Sequence, residues 1–169
     1  GRLMLSRTAD SLYWTGRYIE RADFLARIME ATVRLAAIPS KSGDPEKVWA
    51  SALASAGAKA NFGDRIPTEK TVREHIAFSP ANSSSIHACI TRARTNARSV
   101  RTALTVELWE AINSAWNALA DVGQPKRRDD FTTFLAWVKS VTLSVEGATS
   151  RTMLRNDAYW FIRLGAAVE

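Results

Sequence analysis

The sequence predicts an all-α protein, an antiparallel helical bundle of six or seven helices. Three observations carry this reading. Apolar residues recur at spacings of three and four in nearly every periodic stretch. β-Branched residues never alternate over a useful length. Polar segments containing Gly or Pro fall between the periodic ones and punctuate them. With 169 residues, 46% hydrophobic and 24% charged, the chain suits one globular unit with a substantial core.

The first element spans Thr8 to about Ala37, where Leu12, Gly16, Ile19, Ala22, Ala26, Met29 and Val33 form one stripe. Ser6 or Thr8 is placed to cap its start, and Pro39 to end it. Asp23–Arg27 and Glu30–Arg34 are i,i+4 pairs with the acid first. Thirty helical residues reach ~45 Å, the long axis of a bundle.

Residues 39–47, "PSKSGDPEK", form a polar connection that ends in a helix start, with Asp44 as cap and Pro45 in the first turn. That helix runs through Val48, Trp49, Ala52, Leu53 and Ala56 to Gly57. "NFGDRIPTEK" is a second connection, from which Thr68 opens a short helix through Val72, His75 and Ile76. "FSPANSSS" is loop chemistry ending in strong cap residues.

The most regular stretch follows, with Ile86, Ile90, Ala93, Ala97, Val100 and Leu104 on one face. Arg94, Arg98 and Arg101 read as a basic stripe on the same helix. From Thr105 to Val122, Trp109, Ile112, Trp116 and Leu119 are the expected inner face, and Gly123-Gln124-Pro125 the stop. Asp130 then caps a helix carrying Phe131, Phe134, Leu135, Val138, Val141 and Val145.

The last element restates the first. "MLSRTADSLYWTGRYIE" (4–20) returns as "MLRNDAYWFIRLGAAVE" (153–169) at a constant offset. Met4/Met153, Leu5/Leu154, Ala9/Ala158, Gly16/Gly165 and Glu20/Glu169 are identical. A mid-helix Gly costs about 1 kcal/mol relative to Ala. Close approach of another helix would offset that cost, because no Cβ separates the backbones. The domain reading is a helical-bundle unit over 1–152 and the first helix of a second repeat over 153–169.

The charge of +6 comes from 23 Lys+Arg against 17 Asp+Glu, and most of the cations are Arg. That raises the question of a phosphate or nucleic-acid partner, but the bases are dispersed among acids, the pattern of solvated faces and internal pairs. A nucleic-acid binder is therefore the least favoured function. No run approaches the ~18 apolar residues of a membrane span, so no membrane is expected. The opening residues lack a signal-peptide profile, and the one cysteine, Cys89, fits a reducing compartment, so the expected location is the cytoplasm.

"MLSRTADSLYWTGRYIERAD" resembles the opening of bacterial alpha-E domain proteins. The resemblance continues through "SSSIHACITRARTNARSVRTALTVELWEAIN" and "GATSRTMLRNDAYWFIRLGAAVE". Members of this family are similar to a duplicated helical protein of about twice this length, so the resemblance implies that residue 153 opens a second copy. Ala166 and Ala167 stand where the first copy has Arg17 and Tyr18, so a role for Arg17 does not carry over. The resemblance also implies a setting beside ATP-grasp-type ligases and transglutaminase-like proteins, hence a peptide- or amide-ligation system. No cofactor is implied.

Two groups of residues are candidate binding sites. Glu20 with Arg17 and Arg21 fits either an anion or acid/base site with a tuned carboxylate, or an ion-pair network that locks helix packing. Arg94, Asn96, Arg98 and Arg101 fit either a phosphate or carboxylate clamp or pairing with Glu107, Glu110 or Glu20 across the bundle. In both cases the packing reading weighs more. His75 and His87 have no second ligand at helical spacing, so no metal site is expected. Cys89 lies on an apolar face and reads as a core residue.

The favoured function is a non-catalytic interaction or scaffold component of the ligation system. The alternative is an enzymatic or substrate-holding subunit using Glu20 and the arginine stripe. Tyr159, Trp160, Phe161, Ile162 and Leu164 cover more of the last helix than one buried stripe needs, which predicts self-association through that helix.

Overall fold

Helix α1 (Arg2–Ala36) is the element around which the others pack. The computed structural model describes residues 2–39, 44–122 and 130–168. α1 starts at Arg2, so Ser6 and Thr8 lie inside it instead of capping it. Arg, Leu and Met at positions 2–5 are good helix formers, and nothing there breaks the run. Buried residues lie on more than one face: Leu12, Thr15, Ile19, Ala22, Leu25, Ala26 and Met29. A helix buried this broadly needs neighbours on several sides.

Three long helices close a bundle with it. They are α5 (Ile86–Ser99), α6 (Val106–Val122) and α7 (Phe131–Thr152). Ser99 meets Ser11 at 3.1 Å and Arg92 donates to Tyr18 at 3.2 Å, so α5 runs antiparallel to α1. Arg94 donates to Asn113 at 3.3 Å, and Thr105 meets Thr152 at 2.7 Å, which turns α6 against both α5 and α7. Lys139 of α7 holds both oxygens of Glu30 on α1, at 2.9 and 2.8 Å. The result is an up-down-up-down bundle; α2 (Pro45–Ser55), α3 (Lys59–Phe62) and α4 (Glu69–Arg73) lie between α1 and α5 in the chain, and the C-cap of α2 reaches Arg21 in the middle of α1.

The expected caps form. Asp44, Thr68, Ser85 and Asp130 accept from Glu46, Thr71, Ala88 and Thr133 backbone N–H groups. After α4 the chain widens into a π turn, Glu74–Phe78, in which His75, Ile76, Ala77 and Phe78 are all buried. Asn82 donates to the His75 carbonyl at 3.0 Å and closes that turn. Phe78 meets Phe131 and Phe134 in an aromatic cluster.

Four further details differ from the sequence reading. The described residues contain eight α-helices, because the second connection folds into the four-residue α3. α5 stops at Ser99, and Arg101 sits on a separate 3-10 turn, Arg101–Ala103, so the basic stripe is not on one helix. The inner face of α6 is Leu108, Ile112, Ala115 and Leu119, while Trp109 and Trp116 lie on its flank. The last helix, α8 (Asp157–Ala167), starts at an Asn156 cap, leaving Met153 and Leu154 in the connection although Met4 and Leu5 are helical. Asn156 replaces Arg7 at the equivalent position, and its side chain accepts from Tyr159 N–H at 3.3 Å. That cap ends the likeness to α1 locally. Gly123-Gln124-Pro125 falls outside the described residues. Among the described residues no helix is long and apolar enough to cross a membrane.

α8 packs against α1 at the two glycines. A Cβ on Gly16 would overlap the Ile162 carbonyl oxygen and stand 3.2 Å from the Ala166 nitrogen. A Cβ on Gly165 would overlap the Tyr13 carbonyl oxygen and stand 3.0 Å from the Arg17 nitrogen. In both cases the obstacle is helix backbone, which cannot turn aside. Gly16→Ala and Gly165→Ala should therefore each destabilise by roughly 1–3 kcal/mol through overpacking. This is the expected sign although Ala is the better helix former by about 1 kcal/mol. Urea denaturation measures it, and an Ala variant as stable as the parent would contradict the crossing.

Candidate functional site

The closeness of α1 and α8 leaves a cleft where α7 runs past both. Its volume is about 230 Å³, and Gly16, Ile19 and Glu20 line it from α1. Thr142, Val145, Glu146 and Thr149 face it from α7, and Ile162, Arg163, Ala166 and Ala167 from α8. Ala166 and Ala167 put little side-chain volume into this space, while Gly16 lets the α8 backbone come against α1 at its edge. The polar groups gather at Glu20, Glu146 and Arg163.

Glu20 is the tuned group. Its pKa is raised above the ordinary carboxylate value, first by burial and then by the negative charges of Asp23 and Glu146. Arg27 and Arg163 oppose the shift. Arg163 pairs loosely with Glu146, at 3.7 Å. Asp23 is itself buried and takes Arg27 at 2.6 Å through one carboxylate oxygen. A half-buried carboxyl that holds its proton more readily than usual, beside an exposed carboxylate–guanidinium pair, is equipped to exchange a proton or bind a polar group.

Arg21, the next residue, serves a different neighbour. Successive side chains on a helix diverge by about 100°, so Arg21 leaves the cleft and reaches α2. It donates to the Ala56 carbonyl at 2.6 Å, at the C-cap of α2, and lies 5.6 Å from the Phe24 ring centre. Ala56 is fully buried, so the guanidinium satisfies a helix-end carbonyl that water cannot reach. Burial, the largest influence, lowers the Arg21 pKa; Cys89 opposes this and Arg17 reinforces it. Neither Arg17 nor Arg21 lines the cleft.

The second candidate group lies elsewhere. Arg94, Asn96, Arg98 and Arg101 do not line the cleft. Arg94 sits over Trp116 and Trp109, at 4.4 and 5.7 Å from the ring centres, and Arg101 over Trp109 at 5.3 Å. The two indoles and two guanidiniums thus alternate along the α5–α6 seam. Among the described residues no ion pair joins Arg94, Arg98 or Arg101 to Glu107 or Glu110; Arg94 and Arg101 meet aromatic faces, and Arg94 also donates to Asn113. Asn96 donates back to the Arg92 carbonyl at 2.9 Å, and Arg98 is exposed.

The remaining chemistry is buried. Burial pushes the Cys89 thiol up to about 11 against the pull of Arg21, Arg92 and Arg17, so little thiolate exists near neutrality. His75 is fully buried, with Nδ1 3.2 Å from the Arg65 guanidinium. Burial and then Arg65 hold its pKa below the usual imidazole value, against a backbone contact from Ala58. Among the described residues no group of His, Cys, Asp and Glu is placed to hold a metal ion. Glu146 and Arg163 were not legible as site residues, since neither sits in a motif or beside Glu20 in sequence.

Removing the Arg21 guanidinium tests the structural assignment. Arg21→Met should cost roughly 1.5–3 kcal/mol by leaving the Ala56 carbonyl without its charged donor. Hydrogen exchange should quicken at the last turn of α2 before it does elsewhere. Unchanged stability with unchanged α2 exchange would remove Arg21 from the fold and return it to the site.

Residues 4–169 match the Alpha-E family, described as "a predicted alpha-helical domain with a conserved ER motif". No curated protein and no solved structure matches the chain. The sequence contains one Glu-Arg dipeptide, Glu20-Arg21, and the fold places its two side chains at the cleft and at the α2 cap. Over essentially its whole length, the chain belongs to the Alpha-E family.

Proposed function

We propose that the chain is a non-catalytic helical scaffold of a bacterial peptide- or amide-ligation system, working with an ATP-grasp-type ligase and a transglutaminase-like protein. One observation supports the non-catalytic part. Four of the groups that catalysis would draw on are engaged in packing: Arg21 at the α2 cap, Arg94 and Arg101 on indoles, Cys89 buried as a thiol. The ligation setting rests on the family resemblance. Co-expression of the chain with both proteins, followed by tandem affinity purification, tests the proposal. Stoichiometric co-elution without turnover by the chain alone is expected. Separate elution of all three would sink it.

The Glu20 cleft supports a second reading, a subunit that holds a peptide amine or carboxyl group for the ligase. The arginine stripe lies off the cleft, so Glu20 and the Glu146–Arg163 pair would do the holding. The sign of the Glu20 shift makes this testable. Its folded pKa lies above its unfolded value of about 4.5. The folded state therefore binds the proton more tightly, and the stability this group contributes is fullest below the unfolded pKa and lost as pH rises through the folded pKa. Glu20→Gln should accordingly be more stable than the parent at neutral pH, with the advantage gone by about pH 4. A gain in stability accompanied by loss of ligation in the reconstituted system would mark Glu20 as a functional residue retained at a stability cost. A variant less stable at neutral pH would show that Glu20 supports the fold instead.

A further inference from the structure

Arg27, Arg34, Arg73, Lys139 and Arg163 each pair with a carboxylate of the fold. Arg94, Arg98 and Arg101 do not: among the described residues none of the three forms an ion pair. The sequence supplies the reason. Between Glu74 and Glu107 the chain carries Arg92, Arg94, Arg98 and Arg101 and no acidic residue. Positive charge therefore accumulates along α5 and the turn after it, with no acid of its own to neutralise it.

Two of the three guanidiniums are nevertheless held in place. Arg94 lies 4.4 Å from the Trp116 ring centre and 5.7 Å from that of Trp109, and Arg101 lies 5.3 Å from Trp109. A cation–π contact engages the charge and spends no N–H donor. Each guanidinium has five donors in a planar fork. Among the described residues, the one donor these three side chains give to a hydrogen bond is Arg94 Nε, to Asn113. Arg98 stands one helical turn from Arg94 and is exposed, and Trp116 borders the row with 36% of its surface exposed. Asn96 takes no part, since its amide is turned back to the Arg92 carbonyl. Charged forks fixed by indoles, with their donors unspent, are complementary to carboxylates.

We propose that the Arg94–Arg98–Arg101 row is a docking surface for a short, extended acidic segment of a partner protein. Arg94 and Arg98 are about 6 Å apart along the helix axis. Alternate side chains of an extended chain project to the same side about 6.5 Å apart, so acids at i, i+2 and i+4 meet the three arginines in turn. A polynucleotide is the poorer match. α6 has no Lys or Arg, and its charged residues are Glu107, Glu110 and Asp121, so the basic strip is narrow and flanked by acids. Nucleic-acid affinity grows with the number of phosphates neutralised, and a strip of this width neutralises few. The proposal holds whether or not the chain serves a ligation system.

Fluorescence anisotropy of labelled hexaglutamate, titrated with the 169-residue chain at low salt, tests it. Binding is expected, weakened roughly three- to tenfold by Arg98→Gln. Arg98 is exposed and makes no described contact, so this variant should unfold at the same denaturant concentration as the parent. Lys47→Gln, which removes the same charge from exposed α2 surface, should bind as the parent does. Three results overturn the proposal. The parent chain does not bind the peptide; or Lys47→Gln weakens binding as much as Arg98→Gln, which would make the attraction one of net charge; or an oligothymidylate of matched charge binds more tightly than the peptide and loses that affinity in Arg98→Gln, which would assign the row to nucleic acid.

Discussion

Two helix backbones approach this closely only where no Cβ stands between them. Gly16 and Gly165 each lie against a main-chain carbonyl of the other helix, so neither helix accepts a side chain at that point. The rest of the site follows from this constraint. With α8 drawn onto α1, Ala166 and Ala167 come beside Glu20, and α7, clasped to α1 by Lys139 and Glu30, completes the cleft. A wider crossing would separate Arg163 from Glu146 and open Glu20 to water, removing the burial that raises its pKa. The glycines cost helix stability locally and are compensated by tertiary contact.

Glu20 and Arg21 show how one dipeptide serves two purposes. Because the side chains diverge around α1, the carboxylate enters a partly dry cleft while the guanidinium reaches the C-terminus of α2. Arg21 suits this second role because it stays charged when buried and spans the gap with a planar fork. Glu20 suits the first because a carboxyl group moves its pKa readily under burial and like charge. Paired acid and base on adjacent positions therefore need not form a pair in the fold. The arginines of the α5–α6 seam make the same point, since tryptophan faces hold them where acids were the expected partners.

Local features were legible in the sequence because their physics is local. Caps at Asp44, Thr68, Ser85 and Asp130 are decided within three residues of backbone, and the 3-4 periodicity of α1, α5 and α7 needs only the helix itself. The mid-helix glycines and the repeat pointed to a close crossing for the same reason, as a penalty that some contact had to offset. The inner face of α6 differs from the one its periodicity suggests, because Trp109 and Trp116, the largest apolar residues on it, lie on its flank. Leu108 and Ala115, one position earlier, fit the narrow space between α5 and α7, and the amphipathic indoles are better used at the rim under a guanidinium. The identities of the repeat run across the break at Asn156, where a single capping side chain decides the helix start.

The sequence by itself thus determined the helical class, most caps and connections, and the need for contact at Gly16 and Gly165. Only the tertiary structure decided which helix fills that contact and what gathers beside it. Arg21 meets Ala56 from 35 positions away. Glu146 and Arg163 come to Glu20 from the far end of the chain. A pKa set by burial and by charges on three helices has no counterpart in any local spacing. Desolvation and Coulomb interactions depend on distance through space, and a chain fixes those distances only once its helices have packed.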